Sequence, residues 1–82
     1  MSIKSLKNRF QTLRSQVLNN QISYADAEDK AVTLLADAMY LKNNSVENKL
    51  TSEDIIALES FIVRMDEYIV EIQSNNTNVA SL

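Results

Sequence analysis

The sequence predicts an all-α fold, a small antiparallel three-helix bundle, from three observations. The 82 residues include no glycine and no proline, the residues that most often interrupt helices. Apolar residues recur at alternating spacings of three and four in three stretches, the pattern of helices with a core-facing side. Polar segments separate these stretches. We therefore predict helices at about residues 2–19, 24–42 and 52–73, in a single helical domain at 1–73 with a flexible tail at 74–82.

The first helix has one apolar side and a basic character. Asn19 and Asn20 are expected to end it, because asparagine is the least costly substitute for glycine in a left-handed turn. Cations flank the apolar side, where pairs between helices form. The core-facing residues are Ile3, Leu6, Phe10, Leu13 and Val17, and the cations are Lys4, Lys7, Arg9 and Arg14.

The second helix begins with a capping sequence. The Ser23 side chain can accept a hydrogen bond from an early backbone N–H, and Asp26 can return one. A second apolar row lies beside the core-facing one, so we expect this helix to touch both neighbours, with alanines that allow close approach. The first row is Tyr24, Ala27, Ala31, Leu34, Ala38 and Leu41, and the second is Val32, Leu35 and Met39.

The third helix is predicted to be the centre of the bundle. Thr51 and Asp54 form a second capping box at its start, and Leu50 is placed to pack on Ile55. Its apolar residues occupy more of the helix surface than one neighbouring layer covers. The core-facing residues are Ile55, Leu58, Ile62, Met65, Ile69 and Ile72; a second row at seven-residue spacing holds Ile56, Val63 and Val70, and Phe61 and Tyr68 flank the other side.

The residue types that carry most catalysis and metal binding are absent. Without cysteine the chain has no disulfide, no thiolate nucleophile and no zinc site with Cys ligands. Without histidine it lacks the commonest general acid or base. Adjacent carboxylates such as Asp66 and Glu67 point about 100° apart on a helix, which is poor geometry for a catalytic pair. We expect no enzyme activity, no metal site and no cofactor.

Charge is divided unevenly along the chain. The net charge is −3, but four cations precede every acid, and the eleven acids from Asp26 onward are accompanied by only four cations. Pairing between helices is one explanation, with Arg14 near Glu28 and Arg9 near Glu59. The other explanation is a basic contact face for a nucleic acid, formed by Lys4, Lys7, Arg9 and Arg14.

Excess apolar surface on the third helix leads to the predicted function. A chain of 82 residues has a small core, and a helix that is apolar on several sides is usually buried on several sides. We expect a non-enzymatic protein interaction or assembly module that self-associates as a homo-oligomer or docks on a larger complex. The predicted partner interface is Ile56, Phe61, Val63, Tyr68 and Val70.

Two forms of this function and one alternative are open. Nine asparagines and a compact cysteine-free frame suit a small phage or mobile-element protein, either a structural subunit or an inhibitor. The alternative is a nucleic-acid-binding accessory or regulatory protein that uses the basic first helix. An inhibitor would present an acidic surface to a basic groove, with Asp29, Asp37, Glu47, Glu53, Glu67 and Glu71.

The expected location follows from the absence of long apolar segments. The start of the sequence has no apolar run of the kind that secretion signals contain, and no run approaches the roughly 20 residues that cross a bilayer. We expect a cytoplasmic protein without a membrane partner, in the host cytoplasm or the virion if a phage encodes it.

Overall fold

A computed structural model describes the backbone of residues 2–81 and the side chains of residues 2–75. It has three α-helices, α1 at Ile3–Leu18, α2 at Tyr24–Asn43 and α3 at Ser52–Ser81, and no strand within residues 2–81. The predicted all-α three-helix fold is confirmed. The predicted tail begins inside α3 at Ser74, and its side chains from residue 76 onward lie outside the described residues.

Side-chain hydrogen bonds cap the start of each helix. At the start of α2, the Asp26 backbone N–H donates to Ser23 Oγ at 3.1 Å. The α3 box is reciprocal, because the Asp54 N–H donates to Thr51 Oγ1 at 3.1 Å and the Thr51 N–H donates to Asp54 Oδ2 at 3.0 Å. These bonds satisfy N–H groups that have no partner inside the helix. The helix starts predicted from the capping sequences are confirmed.

Removing the α3 cap gives a first testable prediction. We expect Thr51→Ala to lower the free energy of unfolding by about 0.5–2 kcal/mol, because the Asp54 N–H loses its acceptor. Urea unfolding followed by circular dichroism measures the change. Ser52→Ala at the next, exposed position is the control and should change stability by less than about 0.5 kcal/mol. Equal losses in the two variants would contradict the capping role of Thr51.

Left-handed backbone conformations shape both connections. Asn20 has φ 56°, which confirms the left-handed asparagine predicted at the end of the first helix. Lys49 has φ 54° in the second connection, where the sequence indicated only a polar loop. The Leu50 N–H donates to the Ser45 carbonyl at 2.9 Å, so this loop closes on itself directly before α3.

The helices run antiparallel to their neighbours in sequence. Arg9 bonds to Asp37, whereas Gln16, which lies later in α1, accepts a hydrogen bond from Lys30, which lies earlier in α2. The residue numbers of the contacts increase along α1 while they decrease along α2, so the two helices run in opposite directions. The connection from α2 to α3 is also short, which makes these two helices antiparallel neighbours as well.

The central helix is α2, which corrects the prediction that the third helix is central. Contacts between α2 and α3 are the most extensive, those between α1 and α2 come second, and α1 and α3 contact each other least. Ala27, Ala31 and Ala38 are fully buried on α2, and their small side chains allow close helix packing. The core consists of Leu6, Leu13, Ala27, Ala31, Leu34, Ala38, Leu41, Leu58, Phe61, Met65 and Ile72.

Candidate functional site

The second apolar row of α3 lies on the surface of the folded chain. Ile56 is 64% exposed, Val63 is 56% exposed and Val70 is 60% exposed. On the opposite side of the same helix, Leu58 and Met65 are completely buried. The core is therefore complete without the row, and the chain's own helices leave these three side chains uncovered.

The exposed row borders the side of α3 that faces α2. Lys42 of α2 pairs with Glu59 of α3 at 3.7 Å, which identifies the facing sides of the two helices. Ile56 and Val63 lie three residues before and four residues after Glu59, so each is only about 40–60° round the helix from it. The row thus lies along the outer edge of the contact between α2 and α3.

Two exposed residues of α2 border the same contact from the other side. Val32 is 48% exposed and Met39 is 47% exposed. Met39 is about 60° round α2 from Lys42, which faces α3, and about 160° from Asp37, which faces α1. Val32 is seven residues earlier and shares this side. We call the surface formed by Val32, Met39, Ile56, Val63 and Val70 the α2–α3 face.

Acidic side chains flank the row on both sides. Glu59 and Asp66 follow Ile56 and Val63 by three residues, and Glu67 follows Val63 by four. All three carboxylates are exposed. The only cation in the α3 sequence is Arg64, which is about 100° round the helix from Val63 and lines the groove toward α1 together with Glu67. The α2–α3 face is therefore apolar at its centre and negative along the α3 edges.

The prediction that Phe61 belongs to the partner interface is wrong. Phe61 is only 3% exposed and belongs to the core. Phe10 of α1 packs edge-on against both Phe61 and the half-buried Tyr68, with ring centroids 5.9 Å and 5.1 Å apart. These aromatic contacts attach α1 to α3. Phe61 and Tyr68 therefore lie on the side of α3 facing α1 and are not part of the α2–α3 face.

Tyr68 gives a prediction about pH. Burial raises the pKa of its hydroxyl above the ordinary value of 10.0, and the Glu71 carboxylate adds to the rise. Because the folded state holds the Tyr68 proton more tightly than the unfolded state, this contribution to the folded chain's stability is fully present below about pH 10 and is lost as the pH rises through the raised pKa. We expect stability to fall above about pH 10, and to fall less in Tyr68→Phe.

Urea unfolding at about pH 8 and about pH 11 measures this difference. Tyr40→Phe is the matched control, because it removes the same hydroxyl from a tyrosine that is 64% exposed. An equal loss of stability in Tyr68→Phe and in the unchanged chain would contradict the prediction.

The cations of α1 have different surroundings from one another. Arg9 forms an ion pair with Asp37, with 2.8 Å between Nη1 and Oδ2, and Arg14 lies over the Phe10 ring at 5.7 Å from its centroid. Lys4 and Lys7 are exposed. The predicted pair of Arg9 with Glu59 is wrong, because α1 packs chiefly on α2 and brings Arg9 to Asp37. The predicted pair of Arg14 with Glu28 is not among the ion pairs of the described residues, and Arg14 lies over Phe10.

The predicted acidic surface is dispersed over the molecule. Asp37 is half-buried in its ion pair with Arg9. Exposed members of the predicted set are found on α2, in the following loop and on one side of α3: Asp29, Glu47, Glu53, Glu67 and Glu71. Glu59 and Asp66 are absent from the predicted set, although their spacing of three from the apolar row would have identified them.

An open groove lies between α1 and α2. It encloses about 740 Å³ and is lined mostly by hydroxyl, amide and charged side chains, including Arg9, Asp29 and Lys30. No buried side-chain polar atom in the described part of the chain lacks a hydrogen-bond partner. The groove thus has no buried polar group that awaits a ligand.

The described residues hold neither a candidate metal cluster nor a helix that could cross a membrane. They contain no group of three or more His, Cys, Asp or Glu side chains that could hold a metal ion. None of their helices has the combined length and hydropathy needed to cross a membrane.

The fold and the surface together define a small three-helix bundle with an uncovered apolar face and acidic borders. Comparison of the chain with known protein families, with curated proteins and with solved structures gives no match. The function proposed below therefore depends on the chemistry of this surface alone.

Proposed function

We propose that this chain is a non-enzymatic interaction module that docks onto another protein through the α2–α3 face. The observation that supports the proposal is the regular row of Ile56, Val63 and Val70, each more than half exposed above a finished core. Scattered surface apolar residues are common, but a row of this kind beside two further exposed apolar residues is typical of an interaction surface.

The surface has the composition expected of an interface. The row extends over 14 residues of α3, or about 21 Å, which is the length of roughly four helical turns. Complete burial of a valine or isoleucine side chain contributes about 1.5–3 kcal/mol, and these side chains have about half of that burial left to gain. Val32 and Met39 enlarge the apolar centre, while the carboxylates provide a polar rim.

Site-specific photo-cross-linking in the cells that make the protein tests this function. A photoreactive amino acid at position 63 is expected to form adducts with a protein, which mass spectrometry identifies. The same amino acid at Gln11 on the exposed side of α1 is the matched control and should give few adducts. Absence of adducts at position 63, or equal yields at both positions, would contradict docking through the α2–α3 face.

The structural-subunit and inhibitor forms of this function predict different interfaces. A subunit of a phage or mobile-element assembly would use the apolar row. An inhibitor would rely on its carboxylates, of which Asp29 and Glu47 lie outside α3 while Glu53 and Glu67 border the row. Because five of the eight large apolar side chains that are exposed among the described residues lie on the α2–α3 face, we favour docking in an assembly over charge-based inhibition.

Nucleic-acid binding is the second candidate, and it rests on the exposure of Lys4, Lys7 and Arg14 along α1. The pairing of Arg9 with Asp37 removes one of the four predicted cations from this contact face. At about 0.15 M salt, where charges more than about 8 Å apart are largely screened, we expect no retention on heparin. Retention that disappears in a Lys7→Ala, Arg14→Ala variant, but persists in Arg64→Ala, would support this candidate instead.

A further inference from the structure

We infer that the α2–α3 face receives a basic amphipathic helix of another protein and not a second copy of this chain. The inference rests on the proposed function and adds the chemistry of the partner. It draws on the charges that border the apolar row, because the row by itself does not specify the charge of the partner.

The α3 charges that border the row have one sign. Glu59 and Asp66 border the row on the side toward α2, while Glu53 and Glu67 border it on the other side. All four carboxylates are exposed, and the Lys42 ammonium is 3.7 Å from one of them, that of Glu59. A partner that covers the row must therefore approach at least three carboxylates without a cation partner among the ion pairs of the described residues.

A second copy satisfies the apolar row but not its borders. In a two-fold antiparallel pairing about Val63, Ile56 would meet Val70 of the second copy, which is a favourable contact. The same pairing places Glu59 opposite Asp66 of the second copy, and does so twice. A parallel pairing of the two copies does not bring opposite charges together either, because the α3 positions that border the row hold acids and neutral residues and no cation.

A basic amphipathic helix satisfies both features. Apolar residues at a seven-residue spacing match the row, and lysine or arginine on the flanks would meet the carboxylates, as at the e and g positions of paired helices. The row extends over about 21 Å, which corresponds to about 15 residues of a helix, so a segment of about three heptads covers the row and leaves flanking residues at both ends. Opposite charges also accelerate encounter and select against acidic partners.

Two synthetic helices test the inference. Both are about 21 residues long and alanine-based, with leucines in a heptad pattern; the flanking positions hold lysine in one probe and glutamate in the other. Fluorescence anisotropy measures the binding of each probe to the purified chain. We expect the lysine probe to bind at least about tenfold more tightly than the glutamate probe, with the difference shrinking as salt is raised.

Charge reversal separates the bordering acids from the overall negative charge. The Asp66→Lys, Glu67→Lys variant is expected to reverse the preference between the probes by placing cations beside Val63. The Asp29→Lys, Glu47→Lys variant changes the net charge equally at exposed positions outside α3, and should keep the preference for the lysine probe. Circular dichroism confirms that each variant remains helical.

Three results would overturn the inference. Equal affinity for both probes would show that the bordering charges do not select the partner. Binding of neither probe would contradict a helical partner. Sedimentation of the pure chain as a dimer that Val63→Lys dissociates would identify a second copy as the occupant. In the first and third cases the proposed function stands, since the row still docks; cross-linking at position 63 tests that function separately.

Discussion

Replacing Leu58 with alanine is expected to lower the free energy of unfolding by about 2–5 kcal/mol. Leu58 is completely buried in the core. Alanine leaves a cavity that neighbouring side chains fill only in part, so transfer free energy and packing contacts are both lost. Domains of this size have a total stability of only a few kcal/mol, so a large fraction of the variant is expected to be unfolded at room temperature. Urea unfolding followed by circular dichroism measures the loss.

Ile56→Ala is the matched control for Leu58→Ala. Ile56 is two residues earlier on the same helix, points about 160° away from Leu58, and is 64% exposed. Its truncation should change stability by no more than about 0.5 kcal/mol in the isolated chain. If Ile56→Ala were as destabilising as Leu58→Ala, the row would be part of this chain's own core, and the docking proposal would lose its basis.

Val63→Lys is expected to weaken binding of the lysine-flanked helix by about 2 kcal/mol or more, which is roughly 30-fold. The substitution removes an apolar contact at the centre of the row and adds a charge that repels the cations of the probe. Since Val63 is 56% exposed, we expect the stability of the isolated chain to change by no more than about 0.5 kcal/mol. Anisotropy titration and urea unfolding of the same variant measure the two quantities.

Two further variants separate the effects of shape and charge at position 63. Val63→Ser keeps the charge and should lose about 1 kcal/mol of binding, the part that comes from apolar burial. Gln11→Lys adds the same charge on the exposed side of α1 and should leave binding within about twofold of the unchanged chain. If Gln11→Lys weakened binding as much as Val63→Lys, attraction would be general and would not depend on the α2–α3 face.

Local interactions explain why the helix boundaries could be predicted from the sequence. The two residues of each capping pair, Thr51 with Asp54 and Ser23 with Asp26, are three positions apart, so their hydrogen bonds follow from the local sequence alone. The left-handed turn at Asn20 is also a single-residue property. Lys49 takes the same conformation without a sequence indication, because the closure of the loop onto Ser45 requires it.

Long-range arrangement could not be derived in the same way. Periodicity identifies the apolar side of each helix but not which neighbour covers it, so the preference of α1 for α2 was not predictable. That preference decides that Arg9 pairs with Asp37 and not with Glu59. Contact of Phe10 in α1 with Phe61 in α3 is likewise long-range, and it buries a ring that a helical wheel places only at the edge of the core-facing side.

The exposed row was predictable, because its spacing fixes the side of the helix that it occupies and the core-facing residues of that helix are already complete without it. Seven-residue spacing places Ile56, Val63 and Val70 on one side of α3, away from Leu58 and Met65. The contribution of Val32 and Met39 was not predictable in the same way. Their spacing was visible, but it indicated contact with a neighbouring helix of the bundle, and only the packing of α2 against α3 shows that they remain exposed.

Protection of position 63 in the native setting tests the central claim most directly. The chain has no cysteine, so Val63→Cys introduces a single thiol whose reaction with a maleimide reports its accessibility, and Gln11→Cys does the same on α1. If a partner covers the α2–α3 face, Cys at position 63 is expected to react readily in the purified chain and at least about tenfold more slowly in an extract of the cells that make it. Cys at position 11 is expected to react equally in both. Equal reaction of position 63 in the purified chain and in the extract would contradict the claim that another protein covers the α2–α3 face.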